Sequence, residues 1–402
     1  MQIHKIIHYL RRFTGFPRDI KLLLFYSSIV LIGFGLSNVV MSLYLKSLGY
    51  NPSTIGILFS ISTITSTLLT IPGGLLADHY GKKKTLLVST IAYLLSFIFY
   101  AAFTNFYLLC FASFLNGISF GTYNAPFIAL LTERTHHEKR SYVFSFNSFI
   151  MNFSMIVGNL LAGTADILRS KLRFSTSFSY RIFFGVGVVF VLISILPLVL
   201  MEEDTSYIKK RTKVLNIKSW QVIWMFSIVN ALIGFGAGFF IPLLPLYLNL
   251  RFHVSSAYIA VLLAASNVMM GIAYLASPRV VELIGNVKTV TLTQGLSVIP
   301  LLLIPTSQNF AIAAFLYTIR SVLMNMSHPV FTSYMMGAVS KEERASVAGI
   351  TSTAWNGSTA ISTIISGYIM NRLVNIPIYL CGVFYILSTT LFYIFFKTHE
   401  IQ

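Results

Sequence analysis

Gly73-Gly-Leu-Leu-Ala-Asp-His-Tyr-Gly-Lys-Lys-Lys84 is a short basic stretch between two long apolar runs, and a degraded copy of it recurs around Glu282. Gly74, Asp78, Gly81 and Lys84 in the first stretch have the same spacing as Pro278, Glu282, Gly285 and Lys288 in the second. Glycine supplies a tight turn, and lysines hold such a link at lipid headgroups. The stretch therefore reads as a loop joining two membrane-crossing helices, and its copy indicates a chain built from two similar halves.

Composition agrees. The chain of 402 residues is 55% hydrophobic and only 10% charged, with a mean hydropathy of +0.76; a soluble domain would be about 25% charged. Apolar runs of about 20 residues without charge mark membrane spans. They fall at 22–45, 54–76, 85–104, 107–131, 142–164, 180–201, 220–249, 255–278, 288–307, 310–338, 345–370 and 375–396. In lipid each can satisfy its backbone only as a helix. The expected fold is all-α and integral to the membrane, with twelve transmembrane helices in two pseudo-symmetric six-helix bundles, 22–201 and 220–396. A cytoplasmic linker, 202–219, joins them.

Orientation follows from Lys and Arg. With the N-terminus inside, only Lys46, Arg169, Lys171, Arg173, Arg181, Arg251 and Arg372 fall in external loops, and Arg320 lies within a span. The rest of the 29 basic residues are on the inner side, which predicts a multi-pass protein of the cell membrane with both termini cytoplasmic. The net charge of +17 is spread over these inner loops, facing anionic lipid, so no nucleic-acid partner is expected. Residues 1–21 carry Ile3, Ile6, Ile7, Leu10 and Phe13 at helical spacing among Lys5, Arg11 and Arg12, a basic amphipathic segment for the inner leaflet. Residues 397–402 form a cytoplasmic tail. Cys110 and Cys381 fall in opposite halves and read as packed free thiols.

Further registers support duplication. Ile32-Gly-Phe-Gly35 matches Ile233-Gly-Phe-Gly236, and Leu43-Tyr-Leu45 matches Leu246-Tyr-Leu248. Pro126, Arg140, Asn152 and Gly163 align with Pro329, Arg344, Asn356 and Gly367. Glycine-lined helix faces of this kind allow close backbone approach. Glu133, at the inner end of span 4, is positioned either to pair with Lys82 or Lys83 or to remain an ordinary surface acid.

Charge inside the membrane bears on mechanism. Of 12 acidic residues, Asp166 lies at the outer end of span 5 and the others lie at the inner side; none reaches the midplane. Arg320 does, where an ionised side chain costs about 2.5–3.5 kcal/mol on insertion scales. Two roles are open to it, substrate binding or gating and a structural tie. His328 follows eight residues later and would share a broad helix face with Arg320; it is either a proton carrier or a hydrogen-bonded histidine beside Pro329.

Gly74-x-x-x-Asp78-x-x-Gly81-x-x-Lys84, in a chain of twelve spans, resembles the signature loop of the major facilitator superfamily of secondary transporters. The likeness covers essentially the whole chain. His79 stands where the family usually has arginine, which weakens the local charge network. The resemblance implies alternating access, with a substrate site at the interface of the halves. It implies that Asp78 docks on the N-terminus of span 11, around Lys341–Ala345, when the outside opens, and Glu282 on the start of span 5, each worth about 0.3–2 kcal/mol. Gly74, Asp78, Gly81, Lys84, Glu282, Gly285, Lys288, Arg140 and Arg344 are thereby assigned to gating.

The resemblance also implies that spans 1, 4, 7 and 10 line the cavity, with 5, 8 and 11 adding walls. The candidate substrate residues there are Asn38, Tyr123, Asn124, Asn147, Asn152, Arg320, Asn325, Trp355 and Asn356. Each asparagine serves either a ligand or an interhelical bond, and Tyr123 and Trp355 either stack on substrate or pack. Drug exporters of the family carry Gly-Pro-x-x-Gly-Gly in span 5; here the stretch is Gly158-Asn159-Leu160-Leu161-Ala162-Gly163, without the proline, and Ser113 replaces the span 4 arginine. The first expectation is export of small amphipathic or drug-like solutes. The alternative is uptake or exchange of a small organic anion recognised by Arg320. Protons are an expected coupling partner through His328, and a monomer is expected. No span carries a Ser/His/Asp set, a metal-ligand cluster or a phosphate-binding glycine loop, so neither enzyme activity nor a metal or cofactor is expected.

Overall fold

The computed structural model describes residues 16–136, 139–202, 219–340 and 343–397. Most of the amphipathic segment and of the linker, and the tail beyond Lys397, lie outside the described residues. The first half contains α1 (Arg18–Ser47), α2 (Pro52–Tyr80), α3 (Lys82–Ala102), α4 (Phe106–Glu133), α5 (Arg140–Gly163) and α6 (Thr176–Leu200). The second contains α7 (Trp220–Phe240 and Leu244–Phe252), α8 (Ser256–Ile284), α9 (Asn286–Leu303), α10 (Phe310–Met326 and His328–Gly337), α11 (Arg344–Met370) and α12 (Ile376–Phe396). A short helix, Ala165–Leu172, follows α5. Ten of the twelve are long and apolar enough to cross a membrane by a strict composition criterion; the others, α9 and α11, stand where spans 9 and 11 were expected. The protein is an all-α, multi-pass membrane protein.

Three expectations are corrected. The signature stretch is scarcely a loop: α2 continues through Asp78 to Tyr80, and α3 begins at Lys82. Nothing between Leu75 and Tyr80 breaks a helix, and the chain turns at Gly81, whose φ of 102° only glycine adopts without strain. Gly285, with φ 83°, does the same between α8 and α9. Spans 7 and 10 are not continuous. Pro242 and Pro245 interrupt α7, and Pro329, lacking an N–H, restarts α10 after Ser327. Finally, the Ile-Gly-Phe-Gly match is two residues out of structural register. Gly35 of α1 meets α5, and its counterpart at the α7–α11 crossing is Gly238, the position that the Leu43-Tyr-Leu45 and Leu246-Tyr-Leu248 match gives.

The described residues divide into two compact units, 16–40 with 68–202 and 41–67 with 219–397. In the first, a Cβ on Gly35 would lie 2.5 Å from the Met155 carbonyl oxygen, and one on Gly158 would lie 2.2 Å from that of Ile32, so α1 and α5 cross in backbone contact. Phe97 of α3 fills the space over Gly187 of α6, and its ring lies 5.8 Å from Phe184. In the second unit, Gly234 and Gly238 lie against the carbonyls of Trp355 and Thr359. Phe226, Phe331, Tyr334, Phe392 and Phe396 join α7, α10 and α12 in one buried cluster. The second unit also takes in residues 41–47 of α1 and 52–67 of α2; α2 and α11 touch at Gly56 and Gly367, where an added Cβ on Gly367 would lie 2.5 Å from the Pro52 carbonyl oxygen.

Candidate functional site

At the end of the first unit that carries Asp78, charged side chains fasten helix termini. Arg134 NH1 lies 2.8 Å from Asp19 of α1, and its NH2 donates to the Glu202 carbonyl at 2.8 Å. Lys82 pairs with Glu133, and Lys83 donates to the Met201 carbonyl at the close of α6, a cation where the helix dipole is negative. Of the two lysines offered to Glu133, Lys82 is the one used. Arg134 was not singled out in the sequence, although an arginine directly after an acid at a helix end is the available signal.

Asp78 and Lys84 are exposed in the same region. Asp78 has no hydrogen-bond or ion-pair partner among the described residues, and Gly74 lies near Ala125. In the second copy Glu282 reaches Arg279 at 3.4 Å, both well exposed, and Lys288 is exposed. Arg140 opens α5 half-buried with its Nε unpartnered among the described residues, and Arg344 opens α11 with its Nε–H donating to Met336 O at 2.9 Å. Glu343, beside it, is 4% exposed. Its carboxylate accepts from Ser219 N–H at 3.1 Å, Ser219 Oγ at 2.8 Å and Ser340 Oγ at 3.0 Å, holding the start of α7. Sequence reasoning took Glu343 only as an inner-side acid; Ser219 in front of an apolar run was the readable half of the pair.

Arg320 is buried, at 3% exposure. One guanidinium N–H donates to the Tyr385 hydroxyl of α12, the guanidinium carbon lies 5.2 Å from that ring's centroid, and Nε has no partner among the described residues. Gly236 of α7 packs on the same ring. Arg320 thus ties α10 to α12 in this conformation. His328, by contrast, is exposed, and it opens the second segment of α10 just after Ser327.

The remaining candidates fall into two groups. Asn147 is buried, accepts from Ser27 Oγ at 3.0 Å and contacts Met151 Sδ, an interhelical tie. Tyr123 stacks on Phe127 at 5.3 Å with its hydroxyl buried and unpartnered among the described residues. Half-buried Asn152 and Asn325 donate Nδ2–H to the carbonyls one turn back, Ser148 at 2.9 Å and Ser321 at 2.8 Å, and Asn356 donates to Ser352 Oγ at 3.3 Å. Asn38 is half-buried, Asn124 is exposed, and Trp355 is 37% exposed. Asn230 of α7 repeats the pattern with Phe226 O at 2.9 Å.

The second unit is also joined by contacts that the sequence did not announce. Lys46 Nζ donates to Asn249 Oδ1 at 2.6 Å, and Ser60 Oγ donates to Ala360 O at 2.8 Å beside the Gly56–Gly367 contact.

Comparison with known proteins fits this architecture. The profile of the Major Facilitator Superfamily matches twice in succession, over residues 23–225 and 226–402. The chain is 22% identical over 370 residues to the quinolone resistance protein NorA of Staphylococcus aureus (strain MRSA252), covering 90% of this chain and 92% of that protein. It is also 22% identical to an uncharacterised transporter of the same type from Methanocaldococcus jannaschii, over 85% of this chain and 89% of that one. Among solved structures, a peptide transporter in complex with sulfate superposes with a TM-score of 0.78 at 12% identity, over 96% of this chain and 95% of its own. The nucleoside transporter NupG gives 0.77 at 13% identity, over 94% of this chain and all of its own.

Proposed function

The chain belongs to the Major Facilitator Superfamily, and on that ground we propose that this secondary transporter, working by alternating access, exports small amphipathic solutes. The observation that carries the direction and substrate class is the likeness to a quinolone resistance protein along 90% of the chain. The half-buried polar candidates add support: asparagines and an exposed tryptophan, with no ionised side chain among them, suit a solute with one apolar and one polar end. The organic-anion reading rested on Arg320, whose guanidinium is buried against Tyr385. Both termini are placed in the cytoplasm by the distribution of lysine and arginine.

Coupling to protons would run through His328 or through the substrate's own protonation, since the sequence has no midplane carboxylate. His328→Gln should abolish proton-driven accumulation of a non-titrating substrate while leaving counterflow exchange intact. Full accumulation by the variant would remove His328 from the mechanism.

The test of the main reading is transport by purified protein in liposomes of a matched panel of neutral, cationic and anionic amphipaths under an imposed proton gradient. Saturable movement of neutral or cationic members is expected. Movement of anions alone would replace the export reading with the anion one.

A further inference from the structure

Side-chain amides on three helices of the second unit have a shared orientation that limits what they can bind. Asn230 on α7 and Asn325 on α10 each donate an Nδ2–H to a backbone carbonyl one turn back. A carbonyl cannot donate, so the amide group facing it is the NH2 and the other end is the oxygen. The orientation is therefore fixed by chemistry. Asn356 on α11 has the same geometry, with its Nδ2 on Ser352 Oγ. Each Oδ1 has no partner among the described residues, and none is sealed among the buried unpartnered atoms. All three side chains are half-buried.

Packing brings the three within about 7.5 Å of one another in depth. The Phe226 and Phe331 rings, 5.6 Å apart, set the level of α7 against α10. At 1.5 Å per residue Asn230 lies about 6 Å beyond Phe226, and Asn325 about 9 Å beyond Phe331 in the same direction. The Trp355 carbonyl against Gly234 sets α7 against α11 and puts Asn356 about 7.5 Å beyond Asn230 along the helix axis. Trp355, 37% exposed, adds an apolar ring at this level. The Ser-x-x-x-Asn pattern is no accident of one helix. Ser148 and Asn152 repeat it on α5 of the first unit, at the positions that align with Ser352 and Asn356, with the amide again folded back.

We propose that the unpaired amide oxygens of Asn230, Asn325 and Asn356 form an acceptor wall that recognises substrates through their N–H or O–H donors, so that donor capacity and not positive charge selects the solute. The solutes taken are small amphipaths ending in a primary or secondary ammonium, a primary amide or a hydroxyl. Their fully methylated counterparts, with the same charge and apolar body, are poor ligands because each oxygen would lose its water without gaining a hydrogen bond. This rests on the reading of the protein as an exporter of amphipaths and narrows it.

The experiment compares 4-phenylbutylammonium with its N,N,N-trimethyl analogue, and 4-phenylbutanol with its methyl ether, as ligands and transported solutes of the purified protein. Each donor-bearing member should bind at least about tenfold more tightly than its methylated partner. The difference should vanish in Asn230→Leu/Asn325→Leu and persist in Asn230→Asp/Asn325→Asp, where acceptors are retained and a folded variant guards against misfolding in the first. Equal affinity within both pairs, or a preference that survives the leucine variant, overturns the acceptor wall while transport of all four leaves the exporter reading standing. Failure to bind or transport any of them overturns both.

Discussion

Asp78 sits on the last turn of α2 with its carboxylate exposed, while the Pro52 end of the same helix packs on α11. A latch that engages only when the outside opens would look this way in the opposite state. Asp78→Asn should leave folding and insertion unchanged but slow transport at least about tenfold, because a neutral amide binds helix N–H groups less strongly than a carboxylate. Unchanged initial rates at equal expression would remove the latch. Arg320 makes a different prediction. The buried Arg320 guanidinium loses its hydroxyl acceptor when Tyr385 is changed to Phe, and the Cys381 thiol beside it is a weaker acceptor. Tyr385→Phe should therefore cost about 1.5–3 kcal/mol of stability. Arg320→Met in the same background should recover most of it, since the charge needing solvation is gone. A thermal melt showing no recovery would mean that the guanidinium has other partners.

At the level of helices, the sequence revealed the spans and the duplication well, because lipid demands long uncharged helices and leaves few alternatives. It failed where a small steric fact decides. Gly35 pairs structurally with Gly238, yet the tetrapeptide around it matches two residues away, since glycine contacts depend on the face opposite and not on neighbours in sequence. Gly81 and Gly285 were readable because each is bracketed by charge at a helix end; Gly56 was not, lying mid-run among serines and threonines. The site was legible in kind, as asparagines on the expected spans, but not in orientation, which only the carbonyls one turn back reveal. The α2–α11 contact leads to its own prediction. A Cβ on Gly367 would lie 2.5 Å from the Pro52 carbonyl oxygen and 3.1 Å from the Gly56 Cα, so Gly367→Val cannot close the outer ends without spreading the helices. Transport should fall by about tenfold or more, a loss of only about 1.4 kcal/mol in the closure equilibrium being sufficient. A valine variant with normal turnover would show that this crossing does not close during the cycle.

For the whole molecule, alternating access requires that the outer contacts at Lys46–Asn249, Ser60–Ala360 and Gly56–Gly367 belong to one of two states and that substrate shifts the balance between them. Ser60 is 1% exposed and hydrogen-bonded in the closed arrangement. In a variant with Cys110 and Cys381 replaced by serine and Ser60 by cysteine, the rate of modification by a membrane-impermeant thiol reagent applied from outside reports the open fraction directly. Slow modification is predicted for the resting protein. It should change severalfold on adding a transported amphipath, and the change should be lost in Asp78→Asn. A modification rate that is the same with and without substrate, in a protein shown to be folded and to bind it, would contradict the account.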